Sequence, residues 1–244
     1  MDDRSPSRIP DIRADISKRT IKEMISDKIV SLIASGVLRR GDELPSEREL
    51  SAILSVSRET VRSAIQLLVG RGIVEVSHGA RTRVKRTDIA ADTIGMAGST
   101  VINRYDLRSV HFARQLVELQ VVADAAEHID GDTLEILDRS LKKQQEYIDN
   151  PVGFLICDKE FHFAIYRCAP NPLLVDLVSD LYSYMLEHRR TVMAQPGAIA
   201  RSYADHQVIV DALASGSRER TAAAFQRHIN EIYLSSAPVL ESQS

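Results

Sequence analysis

Cysteine is nearly missing from this 244-residue chain, which has only Cys157 and Cys168. Two unpatterned thiols exclude a disulfide framework and a cysteine-based zinc site, and they fit a reduced compartment. No run approaches the roughly 18 consecutive apolar residues of a membrane span, and the N-terminus lacks the basic-then-apolar pattern of a secretory signal. A cytoplasmic chain with no membrane partner is therefore expected. Strong net charge is lacking as well: the formal balance is −3, which alone argues against a nucleic-acid partner. Internal repeats and low-complexity tracts are absent. So is any HExxH-type string, and no general base pairs obviously with a metal site, so the chain is not expected to be an enzyme.

The charge that is present is unevenly placed. Residues 20–87 hold 12 Lys and Arg against 8 Asp and Glu, a net of +4, whereas residues 88–244 hold 14 against 22, a net of −8. The length suits two domains, and a hydrophobic content of 44% can build a core in each. One cationic and one acidic unit are expected, the first being the part suited to backbone phosphates.

The stretch LPSERELSAILSVSRETVR, residues 44–62, carries the most information. Ser46 and Glu49 have the spacing of a capping box, which predicts a helix start. Leu50, Ile53 and Leu54 form an apolar stripe and Ser55-Val56 interrupts it. Ser57 can then cap a second helix that buries Val61, Ala64, Ile65 and Leu68. Helix, short turn, helix is the expectation, with Arg58 and Arg62 four apart on the outer face, where guanidinium groups suit phosphates and guanine edges.

Leu44-Pro45-Ser46-Glu47-Arg48-Glu49-Leu50 followed by Val56-Ser57-Arg58-Glu59-Thr60-Val61-Arg62 resembles the winged helix-turn-helix signature of GntR-family bacterial transcription regulators. The resemblance implies DNA contacts from Arg48, Ser57, Arg58, Thr60 and Arg62, and from His78 and Gly79 at the wing tip. It further implies a homodimer on an inverted-repeat, double-stranded operator.

Read in order, residues 1–19 look like a mobile arm. The apolar positions Ile21, Met24, Ile25, Ile29, Leu32 and Ile33 predict a first helix ending near Gly36. Ile73-Val74-Glu75-Val76 and Thr82-Arg83-Val84 predict two short strands joined by a glycine-containing turn, the wing. Where the family usually has a second glycine and then an aromatic residue, this chain has Arg81 and Arg83, which implies more phosphate contact. Residues 20–86 thus form the DNA-binding domain and 87–103 a linker. Residues 104–237 form an effector domain of six helices, at about 104–128, 132–149, 152–169, 172–193, 200–215 and 217–236, separated by turn chemistry such as Asn150-Pro151 and Ser215-Gly216-Ser217. The fold class is mostly α, a winged helix-turn-helix domain followed by an antiparallel all-α bundle.

Inside that bundle Asp158 and His162 lie four apart on one helix face. His206 stands ten residues before Gly216 and His228 twelve after it, so an antiparallel hairpin leaves them within a turn of the same level. Three imidazoles and a carboxylate suit a divalent metal, zinc first, with nickel or manganese as alternatives. Together with Arg114, Glu118 and Asn171-Pro172-Leu173-Leu174, these residues resemble the FCD domain found behind many GntR helix-turn-helix domains. That resemblance implies Asp158, His162, His206 and His228 as metal ligands and a small organic acid as effector beside the metal. Arg114 would take the acid's carboxylate, and His188 would face the same pocket. Six helices look more like the VanR-type than the longer FadR-type branch. Repression relieved by the effector is the commoner outcome in the family. A structural metal in a dimerising bundle, or a metalloenzyme, are the competing readings.

Overall fold

The computed structural model describes residues 20–76, 81–87, 105–183 and 186–241, with the side chains of all of these except 187, 188 and 237–241. The expected arm, the wing-tip residues His78 and Gly79, and nearly all of the linker lie outside the described residues, as does the His188 side chain.

The DNA-binding domain begins with α1 (Ile21–Ala34), capped by a reciprocal box in which the Thr20 amide donates to Glu23 at 2.7 Å. It ends at Ser35, and Gly36 takes the left-handed φ of 75° that closes the helix. Helix α2 (Glu47–Leu54) starts at the expected box: the Ser46 amide donates to Glu49 Oε2 at 2.7 Å, and the Glu49 amide donates to Ser46 Oγ at 3.2 Å. Its last turn closes on Ser55, the one non-glycine residue with positive φ among those described. Helix α3 (Arg58–Gly70) follows at once, capped by Ser57. Strands β1 (Val74–Glu75) and β2 (Arg83–Val84) pair antiparallel with Val74 opposite Val84, and Glu43 bridges to Arg83 on the other side. Ile29, Val30, Leu50, Val61, Ala64, Leu68 and Val84 fill the core beneath them.

The second domain comprises α4 (Leu107–His128), α5 (Gly131–Glu146), α6 (Pro151–Tyr166), α7 (Pro172–Ser183), α8 (Leu186–Met193), α9 (Ala198–Ala214) and α10 (Arg218–Glu241). Asp106, Asp130 and Asn150 cap α4, α5 and α6 through their side chains, and Pro151 opens α6, where its missing N–H costs nothing. The expected helix at 172–193 is present as α7 and α8, with residues 184 and 185 between them outside the description. Helix α4 packs along α10, α5 against α6 and α9, and α9 against α10. Gly216 turns that last hairpin with a φ of 66°.

Helix α6 is buried on nearly every side: Phe154, Leu155, Ile156, Phe161 and Ile165 are all apolar core. A helix buried on nearly all sides belongs at the centre of a protein, and α6 lies there, between the bundle core and the DNA-binding domain. One hydrophobic cluster runs through both domains, from Ile29 and Leu50 to Phe161 and Phe225.

Candidate metal centre and DNA-facing surface

Helices α6, α9 and α10 bring Asp158, His162, His206 and His228 together as expected, and all four are fully buried. One ligand atom from each lies within 4.8 Å of the others. His206 Nε2 stands 3.3 Å from Asp158 Oδ1, and His162 Nε2 stands 3.8 Å from the same oxygen.

The far side of each ring explains this orientation. His206 Nδ1 meets the Gln144 Oε1 acceptor at 2.6 Å, which puts the proton on Nδ1 and leaves Nε2 with its lone pair. His162 Nδ1 is 3.3 Å from the Tyr166 hydroxyl, which itself donates to Glu118. His228 Nδ1 is 3.5 Å from Asp205 Oδ2. Asp158 Oδ2 accepts from the Tyr182 hydroxyl and lies 2.9 Å from an Arg189 nitrogen. Outer partners of this kind are how a protein orients metal-binding imidazoles and carboxylates. Asp158 Oδ1, the three Nε2 atoms and also His228 Nδ1 are buried without a hydrogen-bond partner among the described residues. Such atoms are costly to leave unpaired, and their number, type and convergence fit a divalent cation.

Electrostatics supports the same assignment. Burial opposes ionisation of Asp158, but the Arg189 guanidinium and the surrounding imidazoles outweigh it and hold the carboxyl well below the usual range. Burial pushes His162 far down and His228 down to about 4, against the pull of Asp158 and Asp205 respectively. These two rings are therefore neutral at physiological pH, the form that donates to a metal.

Arg114 is buried and its Nε donates to Glu118 Oε2 at 2.9 Å, the ion pair along one helix that its spacing allows. Its guanidinium lies 5.7 Å from the Tyr182 ring centre, with Arg189 at 5.0 Å from the same ring. Arg189 is one site residue that the sequence does not disclose. It is buried next to His188, and its Nε and Nη1 have no hydrogen-bond partner among the described residues. Gln144, Tyr166, Tyr182 and Asp205 were likewise unannounced, since each acts through a tertiary contact that no spacing encodes.

On the opposite domain Arg48, Ser57, Arg58 and Arg62 are exposed and Thr60 is half-buried. The Ser57 hydroxyl caps α3, accepting from the Thr60 amide at 3.1 Å, and lies 2.8 Å from the Thr60 hydroxyl. Arg62 is paired with Glu47 at 2.9 Å and Glu59 at 3.4 Å. With Arg81 it lines a groove of about 590 Å³ between α3 and the wing. Arg83 donates to Glu43 at 2.6 Å, so this extra cation is partly neutralised by its own domain.

A winged helix-turn-helix head with outward arginines, joined to a helical bundle around a buried cluster of three imidazoles and a carboxylate, defines a two-domain DNA-binding regulator. The FCD domain family matches residues 109–231, and the family described as "Bacterial regulatory proteins, gntR family" matches residues 21–84. The chain belongs to the gntR family of bacterial regulatory proteins, among the members that carry an FCD domain, and it is a regulator and not an enzyme.

It is 29% identical over 241 residues to the "HTH-type transcriptional repressor NanR" of Escherichia coli strain K12, covering 95% of this chain and 90% of the relative. It is 28% identical over 229 residues to the repressor of the same name from Salmonella arizonae, covering 90% and 86%. The solved structure of E. coli McbR/YncC shares the fold with a TM-score of 0.53 at 19% identity, covering 92% of this chain and 99% of that one. None of the described helices is long and apolar enough to cross a membrane.

Proposed function

We propose that the chain is a cytoplasmic, ligand-responsive transcriptional repressor that binds an inverted-repeat operator as a homodimer, with residues 20–86 on the DNA and residues 104–237 sensing an organic acid. Repression is supported by the printed names of the relatives. Asp158, His162, His206 and His228 hold a divalent metal, zinc by the chemistry of the donor set. The observation that carries this is the convergence of four unpartnered buried donor atoms, with the far edges of His206 and His162 hydrogen-bonded and that of His228 facing Asp205 at 3.5 Å. When bound, the metal supplies a Lewis-acidic point of attachment for a carboxylate.

Arg114 and His188 face the effector in this proposal, and the unpartnered donors of Arg189 support a carboxylate seat beside them. Arg48, Ser57, Arg58, Thr60 and Arg62, with His78 and Gly79 of the wing, meet the DNA. Arg58 and Arg62 take guanine edges in the major groove, and the hydroxyls of Ser57 and Thr60 face phosphates. The effector acts only by preferring one arrangement of the two DNA-binding domains over another.

Native mass spectrometry of the purified protein tests metal and dimer together, with one divalent ion per chain as the expected result. Gel-shift titration on the DNA flanking its own gene tests the rest. Arg58→Ala should weaken binding by about 1 to 3 kcal/mol and relax base preference; unchanged affinity would place α3 outside the major groove.

A further inference from the structure

Three times in the bundle, a residue of the metal centre stands next in sequence to a residue that grips the DNA-binding domain. On α5, Gln144 holds His206, while the preceding Lys143 donates to the Ile53 carbonyl at 3.2 Å and to Ser55 Oγ at 3.1 Å. On α6, Asp158 is followed by Lys159, whose Nζ donates to Ser31 Oγ at 2.6 Å, and by Glu160, which pairs with Lys28. On α8, Arg189 lies 2.9 Å from Asp158, while Arg190 donates to the Val37 carbonyl at 3.1 Å and pairs with Asp42.

Neighbouring residues on an α-helix point about 100° apart, so each pair reaches two different bodies from one rigid segment. The three grips fall on three separate parts of the DNA-binding domain: the last turns of α1, the connection from α1 to α2, and the turn between α2 and α3. Together they fix the domain as a body, not as a hinged flap. Lys159 is buried where it meets Ser31, so lifting the domain away would uncover a buried ammonium group's surroundings and rearrange its partner. Packed helices have discrete arrangements instead of sliding continuously. A shift of α5, α6 or α8 that re-aims a ligand must therefore move the matching grip.

We infer that occupancy of the metal centre and docking of the DNA-binding domain are one coupled equilibrium, carried by the neighbour pairs Lys143–Gln144, Asp158–Lys159 and Arg189–Arg190. The inference rests on the metal assignment proposed above. The docked arrangement is the one that holds the four ligands together. By linkage, whatever loosens the docking weakens the metal, even from the far domain.

The test is zinc affinity of the full chain, measured by competition with a chromogenic chelator. The variant is Ser31→Ala with Asp42→Asn, two residues of the DNA-binding domain that touch none of the four ligands. Zn2+ should bind the double variant at least about fivefold more weakly, the low end of ordinary coupling between sites. Glu59→Ala, on the same domain but away from the contact, should leave zinc affinity unchanged. Equal or tighter zinc binding by the double variant overturns the coupling.

Hydrogen exchange on the wild type gives the answer without any variant. Adding Zn2+ to chelated protein should slow exchange at the amides of Leu38 and Val56, and no change there overturns the coupling as well. A wild type that binds no Zn2+ at all refutes the metal assignment itself, and the coupling with it. Zinc binding without a response in the DNA-binding domain refutes the coupling alone.

Discussion

Glu49 holds the start of α2 through both its geometry and its charge. Its carboxylate accepts from the Ser46 hydroxyl and amide, and these bonds hold its pKa below the ordinary value. The unfolded chain binds that proton at higher pH than the fold does, so the contribution is complete above the unfolded pKa. It is lost as pH falls through the folded one. Glu49→Ala should cost roughly 0.5 to 1 kcal/mol near neutrality, and thermal melts of the two proteins should converge as the pH is lowered below 4. A gap that stays constant with pH would show that the cap works without its charge.

The capping pair was legible in the sequence because its spacing is local, and so were Asp158 with His162. His206 and His228 were legible because one glycine turn fixes their register. Arg189 was not. Its importance comes from Asp158 on another helix and from Tyr182, and an arginine that leaves solvent has the same letter as one that stays in it.

At the scale of the element, boundaries followed turn chemistry wherever the chemistry was explicit. Asp130, Asn150-Pro151, Asn171-Pro172, Gly197 and Gly216 each mark a helix edge. Periodicity was least informative for α6, whose apolar residues go all the way round, so the sequence showed a helix without showing which face it buries. The first turn of α6 also holds a packing constraint that composition conceals. Gly153 is buried against the Tyr147 ring at the end of α5, and an added Cβ would run into Cδ1 and Cγ of that ring. The ring cannot withdraw at its root without moving the α5–α6 corner. Gly153→Ala should therefore destabilise the protein by about 1 to 3 kcal/mol, despite the better helix propensity of alanine. Denaturant unfolding measures this, and a neutral or stabilising result would mean that the corner repacks freely.

At the scale of the whole molecule, two domains with opposite net charge share one apolar cluster and a polar seam. Domains that meet through small polar contacts move by default; here the cluster continues across the boundary, so docking is the expected ground state. The least comfortable member of the seam is Lys159. Burial pulls its ammonium down to about 8, so near pH 7 it remains charged inside a buried contact, relieved by Ser31 and by the Phe163 ring at 5.4 Å. A lysine whose folded pKa is lowered opposes folding while it stays charged. Lys159→Met should therefore stabilise the protein by about 1 to 3 kcal/mol, read as a raised melting temperature in scanning calorimetry at pH 7. A lower melting temperature would show that the seam compensates the ion fully. Which helices would meet the first domain was invisible to spacing and charge alone, because the gripping residues Lys143, Lys159 and Arg190 look like ordinary solvated cations.

The pairing of Arg62 with Glu47 and Glu59 has a further consequence. A pair of carboxylates impersonates the nucleic acid on the surface proposed above to read it. On that proposed docking, a duplex must evict these impostors before it can seat the guanidinium. A stray stretch of genome offers too little in exchange, whereas a stretch that fits the rest of the helix does, so the protein's own acids help it ignore the wrong address.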